Sequence, residues 1–243
     1  MNKPYILILH GWNLSGKRFT PLVKFLNRMN FRAFSPDLPG FGRTQKPKKF
    51  YMLDDYCRFV NSFLDLKKID SVVLVGHSFG GRIAIKMAAR YPQKIKAVIL
   101  TGTPGLLPVK KVKVLFFLGL AKAGRLIFLL PFLSVLKKIF QKLLYRLSGA
   151  SDYYHTDQRM RLTFQNIVRE DLRGYLTEIG KPVFLLWGGR DRIVSPKIAV
   201  EMKNLVKGSE LQIVDTQGHD FPYINPQIFS KKIAQFLKKI HAV

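Results

Sequence analysis

The sequence predicts an α/β fold, a mostly parallel sheet of about six strands with helices on both faces and a long insertion after the fourth strand. Three observations predict it. Short apolar runs alternate with longer segments whose apolar residues recur at helical spacing, the pattern of strand–helix–strand units. One apolar run, Val72 to Val75, leads through Gly76-His77-Ser78-Phe79-Gly80-Gly81 into a helical pattern carrying Ile83, Ala84, Met87 and Ala88. The chain has 243 residues and no linker-like stretch, so one large domain with a sizeable core accommodates it.

In chain order, Tyr5 to Leu9 reads as a strand that ends in His10-Gly11-Trp12. Phe19, Leu22, Val23, Phe25 and Leu26 put a helix over Lys17 to Met29. Phe31 to Ser35 is the second strand, followed by a Gly/Pro turn segment from Asp37 to Arg43. A helix over Tyr51 to Leu66 has Asp54 and Asp55 in its first turn, where the helix dipole favours acids. The third strand then meets a turn so tight that side chains near Ser78 would collide with the backbone. Gly76 and Gly80 remove that conflict, and Gly81 lets the following helix pack close to the strand. Ile95 to Leu100 and Pro182 to Trp187 are further strands, the latter followed by Gly188-Gly189-Arg190-Asp191. A helix over Pro196 to Leu205, a strand over Glu210 to Val214, the loop Gln217-Gly218-His219-Asp220 and a helix over Pro226 to Ile240 close the chain.

The net charge is +26, from 41 Lys+Arg against 15 Asp+Glu. Such a surface favours anionic partners, but no nucleic-acid-binding module is recognisable, so no specific nucleic-acid partner is expected. The single cysteine, Cys57, rules out a disulfide within the chain and suits a reducing, cytoplasmic compartment. It lies in a helical pattern and reads as a buried structural thiol. No Cys/His cluster has metal-ligand spacing. The N-terminal apolar run is too short for a signal peptide and no small-residue cleavage site follows it.

In parallel sheets, sites form at the carboxyl ends of the strands. His10-Gly11, Ser78, Asp191 and His219 each follow a predicted strand directly, so they should meet at one edge. A serine hydroxyl is a poor nucleophile at neutral pH and needs a base, itself held by an acid. The chain supplies them in the order Ser78, Asp191, His219. Asp215 and Asp220 also lie near His219, but Asp191 sits in a strand-end loop and is the better orienting acid. Asp37 should stabilise its own turn, and His10 and His77 should be structural.

HGW after the first strand, DLPGFG after the second, GHSFGG at the elbow, WGGRDRIVSP and GHDFPYINP stand in one order along the chain. In this the chain resembles the serine-nucleophile branch of the α/β-hydrolase superfamily, particularly small esterases and cofactor-free perhydrolases with a helical cap. The resemblance implies the α/β-hydrolase fold with Ser78 as nucleophile, His219 as general base and Asp191 as orienting acid. It implies an oxyanion hole formed by the backbone N–H groups of Trp12 and Phe79, and neither cofactor nor metal. A serine at position 78 argues against the epoxide hydrolase and haloalkane dehalogenase branches, which use a carboxylate there.

The resemblance also divides the chain into a hydrolase core at 1–105, a helical cap at 106–174 and the rest of the core at 175–243. From Ser71 through Ser151 there is no acidic residue, and Leu106 to Ala150 holds nine basic ones among long apolar runs. Lys122, Arg125 and Pro131 interrupt the run from Val114 to Leu136, which argues against a membrane span. Lys137, Lys138, Lys142 and Arg146 alternate with Ile139, Phe140, Leu143 and Leu144 at amphipathic spacing. That suits a lid with an apolar underside, and also peripheral contact with an anionic membrane.

The resulting expectation is a cytoplasmic serine hydrolase, with peripheral membrane contact through the basic cap as the second reading of that segment. It would cleave a carboxylic ester of a hydrophobic acyl or aryl substrate through an acyl-enzyme on Ser78. The same triad also serves C–C bond or thioester hydrolases, acyltransferases and perhydrolases, and some superfamily members are ligand-sensing receptors with slow turnover. Fold alone does not separate these.

Overall fold

The computed structural model describes residues 4–106 and 158–240. Six strands form one parallel sheet: β1 (Tyr5–Leu9), β2 (Arg32–Phe34), β3 (Val72–His77), β4 (Ile95–Thr101), β5 (Val183–Gly188) and β6 (Glu210–Val214). Their spatial order is β2-β1-β3-β4-β5-β6. The chain winds outward from β1 to β2, then returns past β1 to β3 and winds the other way. This reversal opens a crevice at the carboxyl ends of β1 and β3. His10-Gly11-Trp12 and Ser78 leave those two strands.

The inner strands are buried on both sides, so alternate residues enter opposite cores. Leu7, Leu9, Leu74, Leu100 and Trp187 lie in one cluster with α2 (Leu53–Leu66), α3 (Phe79–Arg90) and α6 (Pro196–Leu205). Ile6, Ile8, Val73, Val75 and Leu186 lie in the other with α1 (Thr20–Arg28) and α8 (Pro226–Lys239). Cys57 is buried in the first cluster, and burial pushes its thiol up to about 12. It is an inert packing group.

The first helix starts later than its apolar spacing suggests. Gly16–Phe19 is a 3-10 turn, and α1 begins at Thr20 with Pro21 in its first turn. Pro21 has no N–H to donate to a preceding turn, so a helix can start there but not run through it. Helix α2 begins at Leu53, where the Asp55 carboxylate accepts the Met52 N–H at 2.7 Å. Three further helices are α4 (Gln158–Arg169), α5 (Arg173–Thr177) and α7 (Phe221–Ile224). The expected cap at 106–174 lies mostly outside the described residues, as do the Val114–Leu136 run and the basic stretch from Lys137 to Arg146. Among the described residues, no helix is long and apolar enough to cross a membrane.

Candidate active site

Ser78 sits between β3 and α3 with φ 52° and ψ −115°. L-residues seldom adopt this backbone conformation, and holding one there costs on the order of 1–3 kcal/mol. The surroundings enforce it. The Ser78 N–H donates to the Thr101 carbonyl at 3.0 Å, and the Gly81 N–H donates to the Ser78 carbonyl at 3.0 Å. A Cβ on Gly80 would sit 2.1 Å from the Leu9 carbonyl oxygen. The predicted sharp elbow is therefore present, with Ser78 at its apex.

Asp191 and His219 meet two strands away. His219 Nδ1 lies 2.8 Å from Asp191 Oδ2. The other carboxylate oxygen of Asp191 accepts the N–H groups of Ile193 and Val194 at 2.9 and 2.8 Å. Those bonds aim Oδ2 at the ring. In the neutral ring the Nδ1–H then donates a hydrogen bond to Asp191, which leaves Nε2 with a free lone pair. Asp220, next to His219 in the chain, is exposed, and the bond to the ring comes from Asp191. Gly102, with φ +53°, lies against the pair: a Cβ there would sit 2.7 Å from the His219 ring. Among the described residues no hydrogen bond joins Ser78 Oγ to His219 Nε2.

The link between the elbow and this pair is His77. It is fully buried, and its Nε2–H donates to the His219 carbonyl at 3.0 Å, with the two rings 4.8 Å apart. On the opposite side of the crevice, His10 Nδ1–H donates to the Gly11 carbonyl at 2.8 Å and its Nε2 accepts the Leu38 N–H at 2.9 Å. Asp37 accepts the Gly16 and Arg43 N–H groups. These two bonds tie the turn after β2 in place, as expected. Phe79 is the first residue of α3, so its N–H has no partner within the helix. Among the described residues, neither that N–H nor the one of Trp12 donates a hydrogen bond.

Residues 4–120 match the family model described as alpha/beta hydrolase fold. The AB hydrolase superfamily protein YisY of Bacillus subtilis is 30% identical over an alignment 252 positions long that covers 95% of this chain and 90% of YisY. The chain belongs to the α/β-hydrolase superfamily. Monoacylglycerol lipase abhd6-A of Xenopus laevis is 26% identical over an alignment 267 positions long that covers 99% of this chain and 77% of the lipase. A solved membrane phospholipase A, described as a bacterial virulence factor, shares the fold with a TM-score of 0.76 at 23% identity, covering 99% of this chain and 80% of its own.

Three features of this α/β-hydrolase lie outside the sequence reading. The first is an aromatic group beside the elbow: the Trp12 ring packs on Phe41, Phe79 and Phe164, with centroids 4.9, 5.4 and 5.0 Å away. Phe164 comes from α4, far along the chain, so no local pattern announces it. The second is a pair of buried cations, Arg82 and Lys86, on the elbow helix. Helical spacing alone would put them on a solvated face. The third is the bond from His77 to the His219 main chain.

Burial and the neighbouring His219 draw His77 down from 6.5 to about 3. Between those values the unfolded chain holds a proton that the folded enzyme excludes. Stability therefore rises with pH across that window and is lost as pH falls from about 6.5 toward 3, at up to ~1.4 kcal/mol per pH unit for this residue. In urea unfolding at pH 5 and pH 7, the wild type should lose more stability on acidification than His77→Phe. Equal losses would remove His77 from this account.

Proposed function

We propose that this α/β-hydrolase cleaves carboxylic esters of hydrophobic acyl or aryl groups through an acyl-enzyme on Ser78. Ser78 Oγ attacks the carbonyl while His219 Nε2 takes its proton. Asp191 holds the tautomer and stabilises the imidazolium that forms. The N–H groups of Trp12 and Phe79 receive the negative carbonyl oxygen. As the tetrahedral adduct collapses, the C–O bond to the alcohol breaks and His219 gives that oxygen its proton. A water, deprotonated by His219, then attacks the acyl carbon; as that adduct collapses the acyl C–O bond to Ser78 breaks, His219 returns the proton to Ser78 Oγ, and the acid leaves.

The observation that carries this reading is the strained backbone of Ser78 at the strand edge that also bears the bonded Asp191–His219 pair. The Trp12, Phe41, Phe79 and Phe164 rings support an apolar substrate, because binding sites are lined mainly by apolar and aromatic groups. The lipase among the relatives supports an ester. A p-nitrophenyl ester panel of varied acyl length tests it, with multiple turnover expected. A single release of p-nitrophenol per chain, without cycling, would favour a receptor. We place residues 106–174 as a cap over the site and the enzyme in the cytoplasm.

The basic, acid-free segment supports peripheral contact between this cap and an anionic membrane. Such attraction is worth about 1 kcal/mol per Lys or Arg near the surface and is screened by salt. Co-sedimentation with anionic vesicles should exceed that with neutral ones and fall with added salt. Changing Lys137, Lys138, Lys142 and Arg146 together to Gln should weaken it while hydrolysis of a small soluble ester persists. Equal binding by this variant would put the contact elsewhere.

A further inference from the structure

Arg82 stands on the first turns of α3, one turn beyond Ser78, and is 4% exposed. Its Nη1–H donates to the Pro104 carbonyl at 3.0 Å. Its Nη2 donates to the carbonyls of Ile167 and Glu170, each at 2.5 Å. These acceptors lie on two different strands of chain. Pro104 is where the backbone leaves β4 toward the long insertion. Ile167 and Glu170 are where it returns, in the last turn of α4 and just past it. The two stems also touch directly, with the Leu172 N–H donating to the Gly105 carbonyl at 2.9 Å.

The chemistry suits a clamp. The last carbonyls of a helix lack partners, and its carboxyl end favours a cation. Arg82 meets both needs of α4 at once, and a planar guanidinium with donors in fixed directions holds several acceptors rigidly. Burial draws it down to about 10, which leaves it charged at neutral pH. Lys86, one turn further on, bonds Glu170 at 2.6 Å and Asp54 of α2 at 2.8 Å. The same helix therefore carries the elbow at its start and grips the returning stem along its side.

One turn of α4 separates the gripped Ile167 from Phe164. Phe164 projects from α4 onto Trp12, 5.0 Å between ring centroids. Thr163, its neighbour, accepts the Tyr51 N–H at 2.9 Å. We infer that Arg82 is a positioning residue that fixes α4, and through Phe164 sets the aromatic wall that decides which acyl groups fit beside Ser78. This rests on the ester-hydrolase reading for its selectivity arm, but not for its structural arm.

The test compares Arg82→Met, Phe164→Ala and the double variant with the wild type. Two quantities are read: the ratio of kcat/KM for p-nitrophenyl octanoate over p-nitrophenyl acetate, and tryptophan emission. Trp187 is fully buried in the core, so emission changes report Trp12. Arg82→Met should change the ester ratio about tenfold, the scale on which apolar pocket contacts discriminate. Phe164→Ala should change it in the same direction, and the double variant should go no further than Phe164→Ala alone, because both act on one wall. Arg82→Met should also shift Trp12 emission to the red. Multiplying effects in the double variant, or equal loss on both esters with unchanged emission, would overturn the proposal. If Arg82→Met does not fold, Arg82→Lys, which keeps the charge and cannot span both stems, is read in the same way. If the wild type hydrolyses neither ester, the function reading fails while the emission shift still decides the clamp.

Discussion

Ser78→Ala is expected to lower kcat for p-nitrophenyl esters by on the order of 10⁶, because removing the nucleophile of a serine triad removes the acyl-enzyme path itself. The fold should survive. Ser78 lies at the surface of the crevice rather than in either core cluster, and its backbone bonds to Thr101 and Gly81 do not involve the side chain. Stability adds a second readout. The φ of 52° at this position strains any residue with a Cβ. Glycine relieves strain of about 1–3 kcal/mol at such a position and gives back about 0.5–1 kcal/mol in chain entropy. Ser78→Gly should therefore be at least as stable as Ser78→Ala, and both should be inactive. A Ser78→Gly protein that is much less stable than Ser78→Ala would mean that the elbow is not strained. Ester turnover retained in either variant would mean that the nucleophile lies elsewhere.

Asp191→Asn should be the next most damaging change. The amide cannot hold His219 with its proton on Nδ1 and its lone pair on Nε2, and losing that tautomer costs on the order of 10⁴ in rate. Asp220→Asn should cost far less, since its side chain is exposed and forms none of the bonds that orient the ring. The comparison is made by kcat on one short ester, with circular dichroism to show that both variants fold. A larger loss in Asp220→Asn than in Asp191→Asn would redraw the triad.

The sheet was legible because its strands carry unbroken apolar runs. Both faces are covered, so the runs need no alternation, and Val72 to Val75 or Val183 to Trp187 stand out at once. The placement of Ser78, Asp191 and His219 at one edge of the sheet was legible as well, because each leaves a strand there and the elbow needs its glycines. Smaller discrepancies have local causes, such as Pro21 moving the start of α1. What stayed hidden depends on the tertiary arrangement. The helix α3 lies between the sheet, α2 and the stems of the insertion, so every residue from Phe79 to Ala88 is buried. Arg82 and Lys86 could not be known as buried from helical spacing, which assumes one wet face. Phe164 meets Trp12 only once α4 returns over the sheet edge. The His77 bond to His219 joins two loops that sequence analysis treats separately.

The measurement that bears most directly on the central claim is peptide mapping after reaction with a fluorophosphonate, with residual ester hydrolysis followed in the same samples. The reagent phosphonylates an activated serine hydroxyl and expels fluoride. The account predicts one phosphonate per chain, on the peptide that contains Ser78, with p-nitrophenyl ester hydrolysis falling in proportion to its occupancy. Complete labelling of Ser78 that leaves ester hydrolysis intact, or loss of hydrolysis with the label on another peptide, would contradict it.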